Sequence, residues 1–492
     1  MKKTLQIHPK DNVAVALVDL AKGEQYQGTT LQQDIPSGHK FALCAVAAKE
    51  KFIKYGLPIG EAIAHVQPGE HVHVHNLRTL LEATTPVAEY CRHEEQEGIL
   101  SPSRYFSGYA RQSGKVGIRN DIWIIPLVGC VNGQVRQLAR SAQQNLKQPG
   151  MRILALEHPY GCSQLGEDLR MTASLLASLA QHPNAGGVLI VSLGCENNSL
   201  DYFMPLLGKF DKQRIRFLKM QEPGNEIERG KQLFHELIRY AEQSQKSLFP
   251  MGKLSVGLKC GGSDAFSGIT ANPLLGLFAD RLAAEGGTVV LTEVPEMFGA
   301  ETLLLGRCRD KMTHTKCIQM LDDFRQYFLR YEQPVYENPS PGNKEGGIST
   351  LEEKSLGCVQ KGGTRRIAHV LNYGECELTS GINLLSGPGN DLISSTALAA
   401  AGCQLILFTT GRGTPFGTIV PTVKVSSNSD LAKDKPHWID FDAGRLLIED
   451  EPNVLADELF ELVIDIASEK QMAKNEQNGY QDIAIFRNGV TL

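Results

Sequence analysis

No apolar run in this 492-residue chain approaches 18 residues, so a membrane-spanning helix is not expected. The opening stretch Met1–His8 carries two lysines but no apolar run behind them, which argues against a secretory signal. Like charges never cluster: 50 basic residues face 55 acidic ones for a net charge of −5, without the basic footprint a nucleic-acid partner requires. No two cysteines are spaced Cys-x-x-Cys, so a zinc ribbon has no support. The 11 cysteines are scattered and odd in number, which disfavours a disulfide framework and makes a reducing cytoplasm the expected home. Neither Gly-x-x-x-x-Gly-Lys-Ser/Thr nor Gly-x-Gly-x-x-Gly occurs, which disfavours a nucleotide. Internal repeats and low-complexity segments are also missing.

What remains is a globular composition, 42% hydrophobic and 21% charged, long enough for two to four domains. Residues 1–83 read as a small β-rich module with short strands at 13–18, 40–43 and 71–75, separated by turn signals such as Pro36-Ser37-Gly38. Residues 84–107 are polar and aperiodic, as a linker would be. From residue 108 strands and amphipathic helices alternate, which predicts a parallel sheet with helices on its faces. A break near Pro250 divides this α/β body into a middle domain, 108–248, and a C-terminal domain, 249–492. A single long helix is expected over 300–331.

Four times a strand-like stretch runs into a cysteine beside glycine: Gly129-Cys130, Gly161-Cys162, Gly194-Cys195 and Cys260-Gly261. Ligands of open α/β sheets sit at the carboxyl ends of the strands, so all four thiols are expected to line one crevice. Carboxylates lie close by: Glu196 follows Cys195, and Asp264 is four residues after Cys260. Thiolates with carboxylates and imidazoles suit iron or zinc, and three convergent thiolates suit an iron–sulfur cluster. Free cysteine is also a common small core residue.

Three further patterns bear on chemistry. His71-Val72-His73-Val74-His75 places three imidazoles on one face if the run is a strand, with His39 as a fourth. Such a group can bind a divalent transition metal or move protons near neutral pH. Glu293 and Glu296 put two carboxylates three residues apart at a strand end, where they can bind a cation or serve as acid and base. The glycine-rich loops 338–347 and 409–417 let backbone N–H groups approach an anion, with Lys344 and Arg412 supplying charge. These features fit an enzyme acting on a small polar acid. They leave elimination, hydrolysis and isomerisation open.

Long motifs carry a resemblance. They include Gly38-His-Lys-Phe-Ala-Leu43, Lys54-Tyr-Gly-Leu-Pro-Ile-Gly60, Gly117-Ile-Arg-Asn120, Tyr160-Gly-Cys-Ser-Gln-Leu-Gly166 and Gly194-Cys-Glu-Asn-Asn198. Others are Cys260-Gly-Gly-Ser-Asp264, Glu293-Val-Pro-Glu-Met-Phe-Gly299, Asn338-Pro-Ser-Pro-Gly-Asn-Lys344 and Thr410-Gly-Arg-Gly-Thr-Pro415. In these the chain resembles the altronate/galactarate dehydratase family along nearly its full length. The resemblance implies an N-terminal β-clip domain of the SAF type, a middle domain and a Rossmann-like catalytic domain. It also implies dehydration of a sugar acid, D-altronate giving 2-dehydro-3-deoxy-D-gluconate, in a cytoplasmic homodimer that needs Fe(2+) and reducing conditions. Mn(2+) is a conceivable substitute and an iron–sulfur cluster the alternative. The resemblance also implies that altronate dehydratases and sulfolactate sulfo-lyases carry the histidine run and galactarate dehydratases lack it, so His71, His73 and His75 favour altronate; galactarate, sulfolactate and a non-catalytic sugar-acid-binding role remain alternatives. The candidate catalytic residues are His39, His71, His73, His75, Lys344 and Asp264. Arg412, Lys344, Asn343 and Ser263 are the candidates for holding substrate. Cys130, Cys162, Cys195, Cys260, Glu196 and Glu293 are the candidates for metal.

Overall fold

The computed structural model describes residues 2–26, 28–81, 90, 104–146, 150–448 and 451–489. Most of the expected 84–107 linker lies outside the described residues. The architecture is the expected one, a small β module ahead of a parallel α/β body.

The module is built of very short antiparallel strands. One sheet runs in the order Thr4–Leu5, Val13–Ala16, Lys40–Ala42, His71–Val72, and a second joins Lys51–Lys54, Leu57–Ala62 and Leu77–Arg78. Strands this short bury little by themselves. Ala14, Ala16, Leu20 and Phe41 form a small internal core, while Phe52, Ile59, Val72 and Leu77 join the large core of the C-terminal body. The module is therefore docked on the body by apolar burial.

The expected strand over 71–75 is shorter. It ends at Val72, because Asn76 folds back: its Nδ2 donates to the His71 carbonyl at 2.9 Å and its Oδ1 accepts from the His73 N–H at 3.0 Å. An Asx-type turn has replaced the end of the ladder.

Tyr105–Ala110 pairs antiparallel with Val116–Gly117 on one side and Lys246–Pro250 on the other. The chain thus enters and leaves the middle domain through neighbouring strands, and the expected boundary at 248/249 falls inside Lys246–Pro250. The middle sheet is all parallel, in the order Ile153–Ala155, Asp121–Pro126, Ala185–Ser192, Ile215–Lys219. The C-terminal sheet has seven parallel strands, ordered Ile367–Leu371, Gly381–Leu385, Thr288–Leu291, Ser255–Cys260, Leu405–Thr410, Thr422–Ser426, Phe441–Asp442. Apart from Ser255 at one strand start, its central strands are buried along their length, as helices on both faces require. The expected 300–331 helix is two helices, Glu301–Leu305 and Lys311–Arg330; the second starts afresh with Asp310, whose side chain caps Thr313 N–H. The two α/β domains share a core, with Trp123, Leu175 and Val188 packed among Leu398, Ile406 and Phe408.

In the seven-stranded sheet the chain starts at Ser255–Cys260, adds Thr288–Leu291, the edge strand Ile367–Leu371 and, between them, Gly381–Leu385 on one side, then returns to add Leu405–Thr410 on the other. The gap between these two carboxyl ends is a topological switch point, where open sheets bind ligands.

Candidate active site

Cys260 is the last residue of its strand and lies at this switch point, buried. Around it gather Cys358, from the end of the Leu351–Cys358 helix, and Glu293 and Glu296, from the loop after Thr288–Leu291. One ligand atom from each of the four lies within 4.8 Å of the others. The Cys260 thiol donates to Glu296 at 3.2 Å and sits 3.8 Å from the Cys358 sulfur. Glu293 reaches the group with φ of 72°, a left-handed conformation that a side chain pays for at about 1–2 kcal/mol. Its carboxylate accepts the Cys260 N–H at 3.1 Å, which holds it there.

Three ammonium groups complete the cluster, those of Lys259 and Lys361 buried and that of Lys354 nearly so. Lys259 pairs with Glu293; Lys361 reaches Glu293 at 2.8 Å and Cys358 at 3.1 Å; Lys354 reaches Glu296 at 2.9 Å. Burial alone would raise the Glu296 carboxyl, but Lys354, Lys259 and Lys361 outweigh it and hold it far below the usual carboxylate range. The shared contact with Cys260, together with burial, pushes the Cys358 thiol well up. The donor set is two sulfurs and two carboxylates, the mixture a divalent transition metal accepts. With both thiols protonated, three ammoniums over two carboxylates leave one positive charge. A dication that displaces both thiol protons leaves the same single charge, so the residues fit a divalent metal.

Above this floor lies the docked module. Glu353 is buried and receives Lys40 Nζ at 2.8 Å and Lys54 Nζ at 2.7 Å, both from the module. Burial would raise Glu353, but the two lysines bring it down to about 2. Burial lowers Lys40 to about 8, whereas the attraction of Glu353 outweighs burial at Lys54 and raises it. Lys40 also donates to Ser349 Oγ at 2.6 Å, and that hydroxyl lies 2.8 Å from Nδ1 of His73.

The four histidines do converge, through the turn and not through strand alternation. His39 and His71 have ring nitrogens 3.0 Å apart, and the His71 ring lies 5.6 Å from that of His73 and 5.4 Å from that of His75. Burial, reinforced by neighbouring cations, takes His71 to about 3 and His73 to about 4; burial also lowers His39. The imidazoles of His71 and His73 are therefore neutral at neutral pH.

The histidines face the short helix Pro341–Glu345. His39 Nε2 lies 3.1 Å from the Glu345 carbonyl, and the Glu345 side chain pairs with Arg412 at 3.1 Å. Arg412 is 46% exposed along its side chain and also donates to the Gly342 carbonyl at 3.0 Å. Lys344 is half-buried, with no side-chain partner among the described residues. Histidines, Arg412 and Lys344 therefore border one rim. A narrow cavity below it, lined by Lys54, Cys260, Asp264, Glu353, Lys354 and Cys358, measures about 10 Å³, room for roughly one water.

Other expected site residues are committed to the frame. Asp264 accepts from Ser267 N–H at 2.9 Å, Ser427 Oγ at 2.7 Å and Asn428 Nδ2 at 3.1 Å, and burial raises its carboxyl. Asn343 donates to the Ser263 carbonyl at 2.8 Å and accepts from Ser340 and Lys354, which fixes Ser263 as its backbone partner. Glu196 accepts from Ser192 Oγ and from Gly194 N–H at 2.6 Å; burial raises it, but these bonds hold it low. Cys130, Cys162 and Cys195 are exposed at the ends of the middle sheet, in a different sheet from buried Cys260. The four cysteines thus divide three and one and do not share a crevice at one sheet's edge. Sequence reasoning missed Cys358, Lys259, Lys354 and Lys361 as site residues. Cys358 and Lys361 stand three apart, as neighbours on a helix would, but nothing local tied them to Cys260, about a hundred residues earlier.

Three family models match in succession. Residues 2–80 match the altronate/galactarate dehydratase SAF domain. Residues 108–242 match the second domain of D-galactarate dehydratase/altronate hydrolase, and 251–491 the C-terminal domain of D-galactarate/altronate dehydratase. The chain is 49% identical to altronate dehydratase of Bacillus subtilis (strain 168), covering 100% of both chains. It is 48% identical to altronate dehydratase of Escherichia coli (strain K12), covering 99% of both. Identity to galactarate dehydratase (L-threo-forming) of Escherichia coli (strain K12) is 31%, over 98% of this chain and 96% of that one.

Proposed function

Because the chain belongs to the D-galactarate/altronate dehydratase family, we propose that it eliminates water from D-altronate to give 2-dehydro-3-deoxy-D-gluconate. It is a lyase of the hydro-lyase type. The observation that carries the substrate assignment is the near-half identity, end to end, with two altronate dehydratases, against 31% with a galactarate dehydratase.

Elimination begins with loss of the proton α to the carboxylate, and negative charge then develops on that carboxylate. Arg412 and Lys344 at the rim are placed to hold it, the guanidinium by two oxygens at once. The imidazoles of His39, His71 and His73 border the same rim, and in this reading one of them takes the proton as base. Lys259, Lys354 and Lys361 keep the floor positive, which favours the enediolate in a site with little water. Cys260, Cys358, Glu293 and Glu296 would hold a divalent metal, Fe(2+) in this reading, which supplies Lewis-acid polarisation of the substrate oxygens. Collapse of the enediolate breaks the C3–O bond, the hydroxyl takes up a proton and leaves as water, and the resulting C2=C3 enol tautomerises to the 2-keto acid.

A sugar acid does not fit a cavity of about 10 Å³. Entry on this reading requires the β module to lift, breaking the Lys40–Glu353–Lys54 contact, and to close again as a lid. A cytoplasmic homodimer completes the proposal; light scattering on the purified protein tests the dimer.

The deciding assay follows keto-acid formation from D-altronate, galactarate and sulfolactate with ferrous iron and a thiol present, with and without a chelator. Turnover of altronate that the chelator abolishes and iron restores is expected. Preference for either other acid would overturn the substrate, and full activity in chelator would overturn the metal.

A further inference from the structure

The middle domain has a switch point of its own. Its strands lie in the order second, first, third, fourth along the chain, so the reversal falls between Asp121–Pro126 and Ala185–Ser192. That is where doubly wound sheets of this order bind their cofactors. Cys130 and Cys195 follow those two strands, and Cys162 follows the adjoining Ile153–Ala155.

The three loops are bonded into one rim. Gly129 N–H donates to the Tyr160 carbonyl at 2.8 Å, Asn198 N–H to the Gly161 carbonyl at 3.0 Å, and Ser163 N–H to Asn197 Oδ1 at 2.8 Å. Asn198 Nδ2 donates to the Leu127 carbonyl at 3.1 Å, so this fully buried amide touches both neighbouring loops. Its Oδ1 has no hydrogen-bond partner among the described residues. Gly161 adopts φ of 100°, and a Cβ there would come within 2.0 Å of the Leu127 carbonyl oxygen. Each cysteine thus follows a glycine, and at Cys162 that glycine is what lets the loops close on one another.

Cys130, Cys162 and Cys195 are exposed, as Cys44 is in the β module, whereas Cys260, Cys308, Cys317, Cys358 and Cys403 are buried. No core needs these three. They also do not form a mononuclear site, since the Cys260 group is the one set among the described residues with ligand atoms within 4.8 Å of each other. An iron–sulfur cluster spaces its thiolates more widely than a single ion does.

We propose that Cys130, Cys162 and Cys195 hold an iron–sulfur cluster of the four-iron class in this crevice, as a centre separate from the Cys260 site. Such a cluster usually takes four cysteines. Three leave one iron without a protein ligand, open to a hydroxyl or carboxylate oxygen. Each thiol loses its proton on ligation. The proposal does not depend on the substrate assignment, and its test reads sulfide, with a variant of the Cys260 site as the control that tells the two centres apart.

Full-length protein is treated anaerobically with ferric iron, sodium sulfide and excess thiol, the thiol being oxidised to disulfide as it supplies the two electrons each cluster needs, then desalted. The expected result is about four acid-labile sulfides per chain with a broad visible absorption. The Cys130→Ser, Cys162→Ser, Cys195→Ser triple variant should retain none at an unchanged melting temperature, while Cys358→Ser retains the full amount. Should the triple variant not fold, Cys162→Ser alone should lose more than half of the sulfide. Absence of sulfide in the wild-type protein, or equal sulfide in the cysteine variants, overturns the proposal.

Discussion

Replacing Glu353 by glutamine should loosen the β module from the body without harming either. The carboxylate is 2% exposed and, among the described residues, is the sole acidic partner of two ammonium groups, Lys40 and Lys54, each 1% exposed. Glutamine keeps the shape and the bond from Ser349 N–H but removes the charge. Lys40 then retains only the Gly347 carbonyl and Ser349 Oγ, and Lys54 retains the face of Tyr55. Breaking a buried ion pair in this way costs about 3–5 kcal/mol, because a desolvated charge is left without a counterion. Read as an undocking equilibrium, that is roughly a hundred- to a few-thousand-fold. Amide hydrogen exchange reports it: Lys40–Ala42 and Lys51–Lys54 should lose protection by about that factor, while Ser255–Cys260 keeps its own. Replacing all three charges together, Lys40→Met, Lys54→Met and Glu353→Leu, should recover most of the loss, since an apolar trio leaves no charge to desolvate. Unchanged exchange in Glu353→Gln would refute the ion triad as the anchor. Failure of the triple variant to recover would place the energy elsewhere in the interface.

Arg412→Lys should lower kcat/KM about tenfold or more with little change in melting temperature, because the half-exposed guanidinium holds substrate and its pair with Glu345 stabilises little. An early-unfolding variant, or one with normal efficiency, would count against the anchor role. Cys358→Ser should lower iron affinity at least about tenfold, measured by competition with a chelator, and activity should fall with it. Acidification should destabilise the docked module. The folded values of His71 and His73, about 3 and 4, lie below the ordinary 6.5, so their contribution is fully present above pH 6.5 and is lost as pH falls toward 4. A melting temperature that stays flat between pH 6.5 and 4.5 would contradict this, with His71→Gln and His73→Gln as the control that removes the dependence.

Local chemistry alone determined the order of the domains, the parallel character of the body and most of the strands that end at cysteines. Strand and helix periods are short-range properties, and glycine beside cysteine after an apolar run is visible in a few residues. The histidine cluster was also visible, though for an incomplete reason: the run promised alternation, and the Asn76 turn delivered convergence instead. Which cysteines act together was not visible. Cys130, Cys162 and Cys195 look equivalent to Cys260 in sequence, and only the strand order assigns them to two sheets with separate switch points. Lys40 and Lys54 lie inside motifs that sequence reading found, yet nothing in those motifs tells that both close on Glu353, some 300 residues away. Contacts of that separation are paid for by burial of the whole interface, and so they belong to the tertiary structure. Pattern along the chain fixes which elements form; the packing of distant elements alone decides which buried charges meet.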